Sequence, residues 1–291
     1  MGLRKAGVGT TWMVAASLFY GATNISAKMS VSYLTIWQTA MGRFLLGALL
    51  IPFIARFFGL ELFGQNRRLL FLRGICATAA FLCIIQSFKT VPISVTMVLF
   101  YLWPVFACLL SPWVAGESIS WKEWPFVFGA IAGAVIILAP DRAGPGLDMG
   151  HFFALGSSFL GGLAIILIRR LGRTNNPFTI YFYFCITGAV LCLGPLLSQG
   201  PALVPASVAA WSALIAVAAF SMAAQVLMNQ GMKHLNAAQT GALMMFEVLV
   251  AATFGVVYLG EPITVRLLCG SGLILGCGFA LMVKPGNTVK E

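Results

Sequence analysis

Polar residues in this chain are sparse, and the gaps between them are long. The apolar runs approach about 20 residues, the length an α-helix needs to cross the hydrocarbon core of a bilayer. Ten helical spans are predicted, over 8–27, 34–55, 69–88, 93–114, 123–140, 151–171, 178–198, 207–230, 236–259 and 265–283. The runs are continuous rather than alternating, which disfavours β-barrel strands. Arg4 and Lys5 before the first run resemble the start of a signal peptide. That run continues to about Ala27 with no small-x-small cleavage site, so it is taken as the first span. Connections are short. The longest are 57–68 and 141–150, and the second holds Gly144-Pro145-Gly146, a linker signal.

The pattern repeats. Moved forward by 144 positions, 88–134 lands without a gap on 232–278. Lys89 falls on Lys233, Thr96 on Thr240, Leu99 on Leu243, and Gly116-Glu117 on Gly260-Glu261. Most apolar matches would arise by chance, but a Gly-Glu pair inside such a background carries more weight. An offset of 140 further places Ser17, Phe19 and Gly21 on Ser157, Phe159 and Gly161. Two homologous halves are therefore expected: 1–140, a linker over 141–149, and 150–285, followed by a tail over 286–291.

Composition agrees. Charged residues make up 9% and hydrophobic ones 60% of 291, against roughly 25% and 45–50% in soluble domains. The lipid bilayer is the partner this implies. The net charge of +10 taken alone suggests nucleic acid, but no basic run with interleaved aromatics stands outside the apolar segments, so a nucleic-acid partner is not expected. The charges instead orient the chain. With the N-terminus cytoplasmic, 13 Lys and Arg (Arg73 among them) fall inside and four (Lys28, Lys89, Arg142 and Arg266) outside, leaving only Arg43 within the membrane. This positive-inside bias favours ten spans with both termini in the cytoplasm. Trp37, Trp113, Trp121, Trp124 and Trp211 lie at span ends, as an aromatic belt requires.

Five spans per half is an odd number, so the second half enters the membrane inverted. The expected fold is all-α integral membrane: ten transmembrane helices in two inverted five-helix repeats. Secondary transporters are commonly built this way, with the solute site near the midplane.

The residues also carry a resemblance. Gly21 with Asn24 and Lys28 closes span 1, and Gly42-Arg43-Phe44 lies in span 2. Arg73-Gly74 opens span 3, 87–95 links spans 3 and 4, and Pro104 lies in span 4. Gly116-Glu117 and Gly260-Glu261 end spans 4 and 9. In this order they make the chain resemble the drug/metabolite transporter superfamily, of the ten-helix EamA type. The resemblance implies two inverted five-helix repeats and export of amino acids, their derivatives or other small metabolites from a bacterial-type inner membrane. Some relatives import vitamin- or nucleotide-like compounds. Tyr101-Leu102-Trp103-Pro104 is similar to a stretch of aromatic amino acid exporters of that superfamily.

Arg43 and Glu247 are read as the only ionisable residues deep in spans, each roughly 15 Å from a surface at ~1.5 Å per residue. A charge at that depth costs at least ~2.5–3.5 kcal/mol and demands a partner or water. Arg43 would attract a carboxylate, and Glu247 would bind an amine or a proton; a structural ion pair is the competing account. Tyr101 and Trp103 beside Pro104 suit a kinked helix lining a cavity, or plain aromatic packing. Tyr20 with Asn24, Gln225 with Asn229, and Gln86 in span 3 should face inward, where interhelical hydrogen bonding explains them equally. Glu117 and Glu261, at opposite faces, are expected to be solvated end charges, with gating through Lys122 or Arg266 as the alternative. Gly129, Gly133, Gly270, Gly272 and Gly276 read as helix-packing positions.

Seven cysteines lie in apolar segments without CxxC spacing, and His151 and His234 stand apart. No metal site and no cofactor are expected. No P-loop is present, so ATP does not drive transport directly. An integral membrane enzyme acting on lipid remains the alternative of another class, although interfacial acids are sparse. The partner is a small-molecule substrate, and the chain is expected as a monomer or homodimer.

Overall fold

The computed structural model describes residues 2–114, 120–139, 147–172, 174–199, 207–232 and 243–283, together with 234 and 240; the side chains of 2–6, 169, 229 and 232 are not described. All regular structure among the described residues is helical. The helices are α1 (Gly2–Ser30), α2 (Ile36–Phe57), α3 (Arg67–Ser87), α4 (Ile93–Phe100), α5 (Trp103–Val114), α6 (Trp124–Leu138), α7 (Met149–Leu171), α8 (Pro177–Leu197), α9 (Val208–Met232), α10 (Phe246–Leu259) and α11 (Val265–Val283). Seven described segments are long and apolar enough to cross a membrane: α2, α3, α4 with α5, α7, α8, α9 and α11. The helices α6 and α10 are apolar but shorter.

Helix starts follow local chemistry. Thr35 caps α2: its hydroxyl accepts from the Gln38 amide at 3.3 Å, and Gln38 Oε1 accepts from the Thr35 amide at 2.8 Å. Asn176 caps α8 by accepting from the Thr179 amide at 2.8 Å, and Pro177 takes the first helical position, where no N–H is needed. Gly260 ends α10 with φ 65°, a left-handed conformation that glycine adopts without strain.

Two expected spans are interrupted. The run over 93–114 divides at Tyr101-Leu102 into α4 and α5. Pro104 has no N–H, so the Phe100 carbonyl lacks its helical donor and the backbone tightens. The Tyr101 amide reaches the carbonyls of both Met97 and Val98 at 3.1 Å, and the Leu102 amide that of Leu99 at 3.1 Å. In the run expected over 236–259, residues 240, 243 and 244 are helical, Met245 forms a turn and α10 starts at Phe246; 235–239 and 241–242 lie outside the described residues. Met245 stands 144 positions after Tyr101, the offset of the sequence repeat.

Packing is pairwise. The helix α1 runs along α9, α3 along α7, α2 along α8, and α6 along α11. The short α10 packs on α1 and α4, and α5 on α7. Glycines set the closeness of α6 and α11: a Cβ on Gly133 would stand 2.8 Å from the Gly270 carbonyl, and one on Gly270 2.7 Å from that of Gly133. At the centre Phe44 is fully buried, with Phe81 at 5.9 Å and Phe184 at 5.0 Å, both edge-to-face. Outward surfaces stay apolar: Phe53, Val135, Val190 and Leu268 are each largely exposed, as befits helices facing lipid.

Candidate functional site

The broken helices bring a polar group together at the centre of the bundle. Glu247 lies in the first turn of α10, directly after the turn at Met245, where the helix dipole favours a carboxylate. It is 6% exposed, the one buried acid among the described residues. Asn24 Nδ2 donates to Glu247 Oε1 at 2.6 Å. The Tyr101 hydroxyl, at the other break, lies 3.2 Å from Glu247 Oε2 and also bonds the Met244 carbonyl. Ser17 on α1 donates to the Leu243 carbonyl at 2.7 Å, so the chain entering α10 is held by α1 and by the α4–α5 break. Gly21 permits this closeness, because a Cβ there would stand 2.5 Å from Val250 Cγ1 on α10. Beside the carboxylate, the Tyr20 hydroxyl donates to Gln225 Oε1 at 2.7 Å.

Of the residues read from the sequence, the structure therefore joins Asn24, Tyr101 and Glu247 in one hydrogen-bonded group and places Tyr20 with Gln225. Trp103 meets the group only through its ring, 6.5 Å from that of Tyr101, while its backbone abuts α7 at Gly162. Gln86 is half-buried in the last turn of α3 and makes no hydrogen bond with the group. The side chain of Asn229 lies outside the described residues.

Arg43 does not pair with Glu247. Its guanidinium lies over the Phe81 ring at 4.1 Å and within 5.6 Å of the Phe184 centroid. The structure also corrects the expectation that Arg43 and Glu247 are the only charges inside the spans. Arg73, assigned to the cytoplasmic edge, is 7% exposed and stands 4.7 Å from the Phe184 ring. The sequence held a signal for this: five residues beyond Arg68, Arg73 sits about 7.5 Å deeper along α3 at ~1.5 Å per residue.

A second correction concerns one end of the bundle. Glu261 is not a solvated end charge, and its contacts are not with Arg266. Its carboxylate accepts from the amides of Ile93 at 2.6 Å and Ser94 at 3.1 Å, and from the Ser94 hydroxyl at 2.6 Å. It caps α4, whose N-cap residue is Pro92 and offers no side-chain acceptor. Arg266 donates to the Ala139 carbonyl at 2.9 Å. At the same end Lys28 donates to the carbonyls of Phe88 at 2.6 Å and Val91 at 2.9 Å, closing the C-terminus of α3. Glu117 lies outside the described residues. A cleft of about 460 Å³ lined by Thr35, Ile36, Trp37, Lys89 and Gln199 does not include Glu247. Among the described residues no cluster of His, Cys, Asp and Glu could hold a metal, and His151 serves its own helix start, accepting from the Asp148 amide at 3.1 Å.

Comparison with known proteins follows the same lines. The profile of the EamA-like transporter family matches residues 7–139 and 148–283. The pseudopaline exporter CntI of Pseudomonas aeruginosa is 24% identical over 279 residues, covering 96% of each chain. The threonine/homoserine exporter RhtA of Escherichia coli is 25% identical over 265 residues, covering 88% of this chain and 84% of that one. A protein of known crystal structure superposes with a TM-score of 0.65 at 19% identity over 94% of this chain and 96% of its own, a likeness of fold alone. Apolar membrane-length helices, the polar group at their breaks and a profile matched along nearly the whole sequence agree: this chain belongs to the EamA-like transporter family.

Proposed function

We propose that the protein is a secondary transporter exporting small metabolites, amino acids or related amphipathic compounds, by alternating access at the group around Glu247. The observation that carries the reading is the pair of helix breaks. They fall at Tyr101-Leu102 and Met245, equivalent positions under the sequence repeat, and the Tyr101 hydroxyl bonds the Met244 carbonyl across them. Broken helices exposing polar backbone near the midplane are where transporters of inverted-repeat architecture hold solute.

Two inverted five-helix halves, 1–140 and 150–285, are part of this proposal. The packing supports it: exchanging the halves turns α1 on α9 into α7 on α3, and α2 on α9 into α8 on α3, and all four pairings exist. The two stretches matched by the family profile divide at the expected linker. Multi-pass insertion in a bacterial-type inner membrane with cytoplasmic termini follows from the charge bias. In that orientation the Glu261 and Lys28 contacts close the outer end.

Arg43 and Glu247 would receive the carboxylate and amine of an amino acid, with Tyr20, Asn24, Gln86, Tyr101, Trp103, Gln225 and Asn229 lining its path. Glu247 would couple protons. The Tyr101 hydroxyl has one proton and two acceptors, and a protonated Glu247 would donate back to it. Counterflow in reconstituted vesicles tests the function. Preloaded threonine or homoserine, the compounds named for one relative, should accelerate entry of the labelled compound. Entry that is unaccelerated by any internal amino acid would defeat the carrier reading.

A further inference from the structure

The two arginines leave an unbalanced charge. Arg43 and Arg73 come from α2 and α3, both are at least nine-tenths buried, and both stand against the ring of Phe184 on α8. Glu247 is the only buried acid among the described residues, and its oxygens are engaged by Asn24 and Tyr101. Arg43 Nε and the Nε and Nη1 atoms of Arg73 have no hydrogen-bond partner. Aromatic faces recover part of the cost of burying a guanidinium, but they leave its in-plane N–H donors empty. Buried charges of this kind are normally paired. Three donor nitrogens, one on Arg43 and two on Arg73, therefore lack the anionic oxygens that a buried guanidinium, whose planar fork matches a carboxylate, normally meets.

We infer that the Arg43–Arg73 pair is an anion subsite for a solute carrying two carboxylates, so that the preferred substrates are amino dicarboxylates. The inference rests on the transporter reading and narrows its substrate class: one carboxylate per guanidinium, with the amine directed to Glu247. A neutral amino acid would fill one fork and leave the other empty. Inorganic phosphate would engage a guanidinium without using Glu247 at all.

The test is thermal unfolding of the purified protein, followed by tryptophan fluorescence, with aspartate and glutamate set against asparagine, glutamine and inorganic phosphate. The diacids should raise the midpoint by about 4 °C at saturation, and the monoamides by less than half of that. Arg73→Gln should weaken diacid binding at least ~tenfold and change monoamide binding by less than about threefold, while Arg73→Lys retains part of the diacid preference. Equal stabilisation by the two classes, stabilisation by neither, or an equal effect of phosphate would overturn the inference, and that comparison needs only the parent protein. Counterflow separates it from the broader reading. Exchange of neutral amino acids with no preference for diacids sinks the subsite and leaves the transporter standing. Stabilisation by diacids without counterflow does the reverse.

Discussion

Removing the Glu261 carboxylate should open one end of the bundle. In Glu261→Ala, the Ile93 and Ser94 amides and the Ser94 hydroxyl lose acceptors at 2.6, 3.1 and 2.6 Å. Each hydrogen bond to a charged group is worth ~1.5–3 kcal/mol in favourable settings. Glu261 is only partly buried, however, and water replaces part of what is lost. A net cost of about 2–3 kcal/mol is reasonable, above the ~1 kcal/mol of an ordinary helix cap because three donors are involved. At 1.4 kcal/mol per tenfold, the local opening equilibrium should shift roughly 30- to 140-fold. Hydrogen–deuterium exchange of the peptide over 91–100 reads this directly, since the affected amides lie in it. The variant should exchange faster there by that factor, while a peptide from α8 is unchanged. Glu261→Gln, which keeps one acceptor oxygen, should fall between. If 91–100 exchanges within about threefold of the parent in Glu261→Ala, the carboxylate does not hold α4 to the end of α10.

Glu247→Gln keeps the shape of the site but cannot titrate; flux driven by a pH gradient should fall about tenfold, the effect of losing ~1.5 kcal/mol at a charged hydrogen bond, and its pH dependence should vanish. An unchanged pH profile would remove proton coupling through this residue. Lys28→Met deletes both bonds to the end of α3 and should cost about 1–2 kcal/mol, seen as a melting point lower by roughly 3–6 °C. Gly270→Leu places a side chain where Gly133 and Ile137 already stand; it should destabilise by ~1–3 kcal/mol, and an unshifted melting point would refute the close α6–α11 packing.

Much of this protein was legible in its sequence because lipid imposes a simple rule. Each segment must satisfy its own backbone, so apolar length by itself announces helices. The repeat of 88–134 at 232–278 and the isolation of Glu247 in an apolar run needed no coordinates either. What stayed hidden depended on neighbours. Arg73 looks peripheral when counted from the start of its span, yet α8 brings Phe184 over it and buries it. Glu261 looks like an end charge until α4, far away in sequence, presents two amides and a hydroxyl to it. Proline 104 announced a disturbance, but only tertiary contact shows that the break at Tyr101 meets a second break at Met245 and faces Glu247 there. Apolar content is a sum over local residues and can be read along the chain. The pairing of a buried charge is a relation between distant helices, and only their packing decides it.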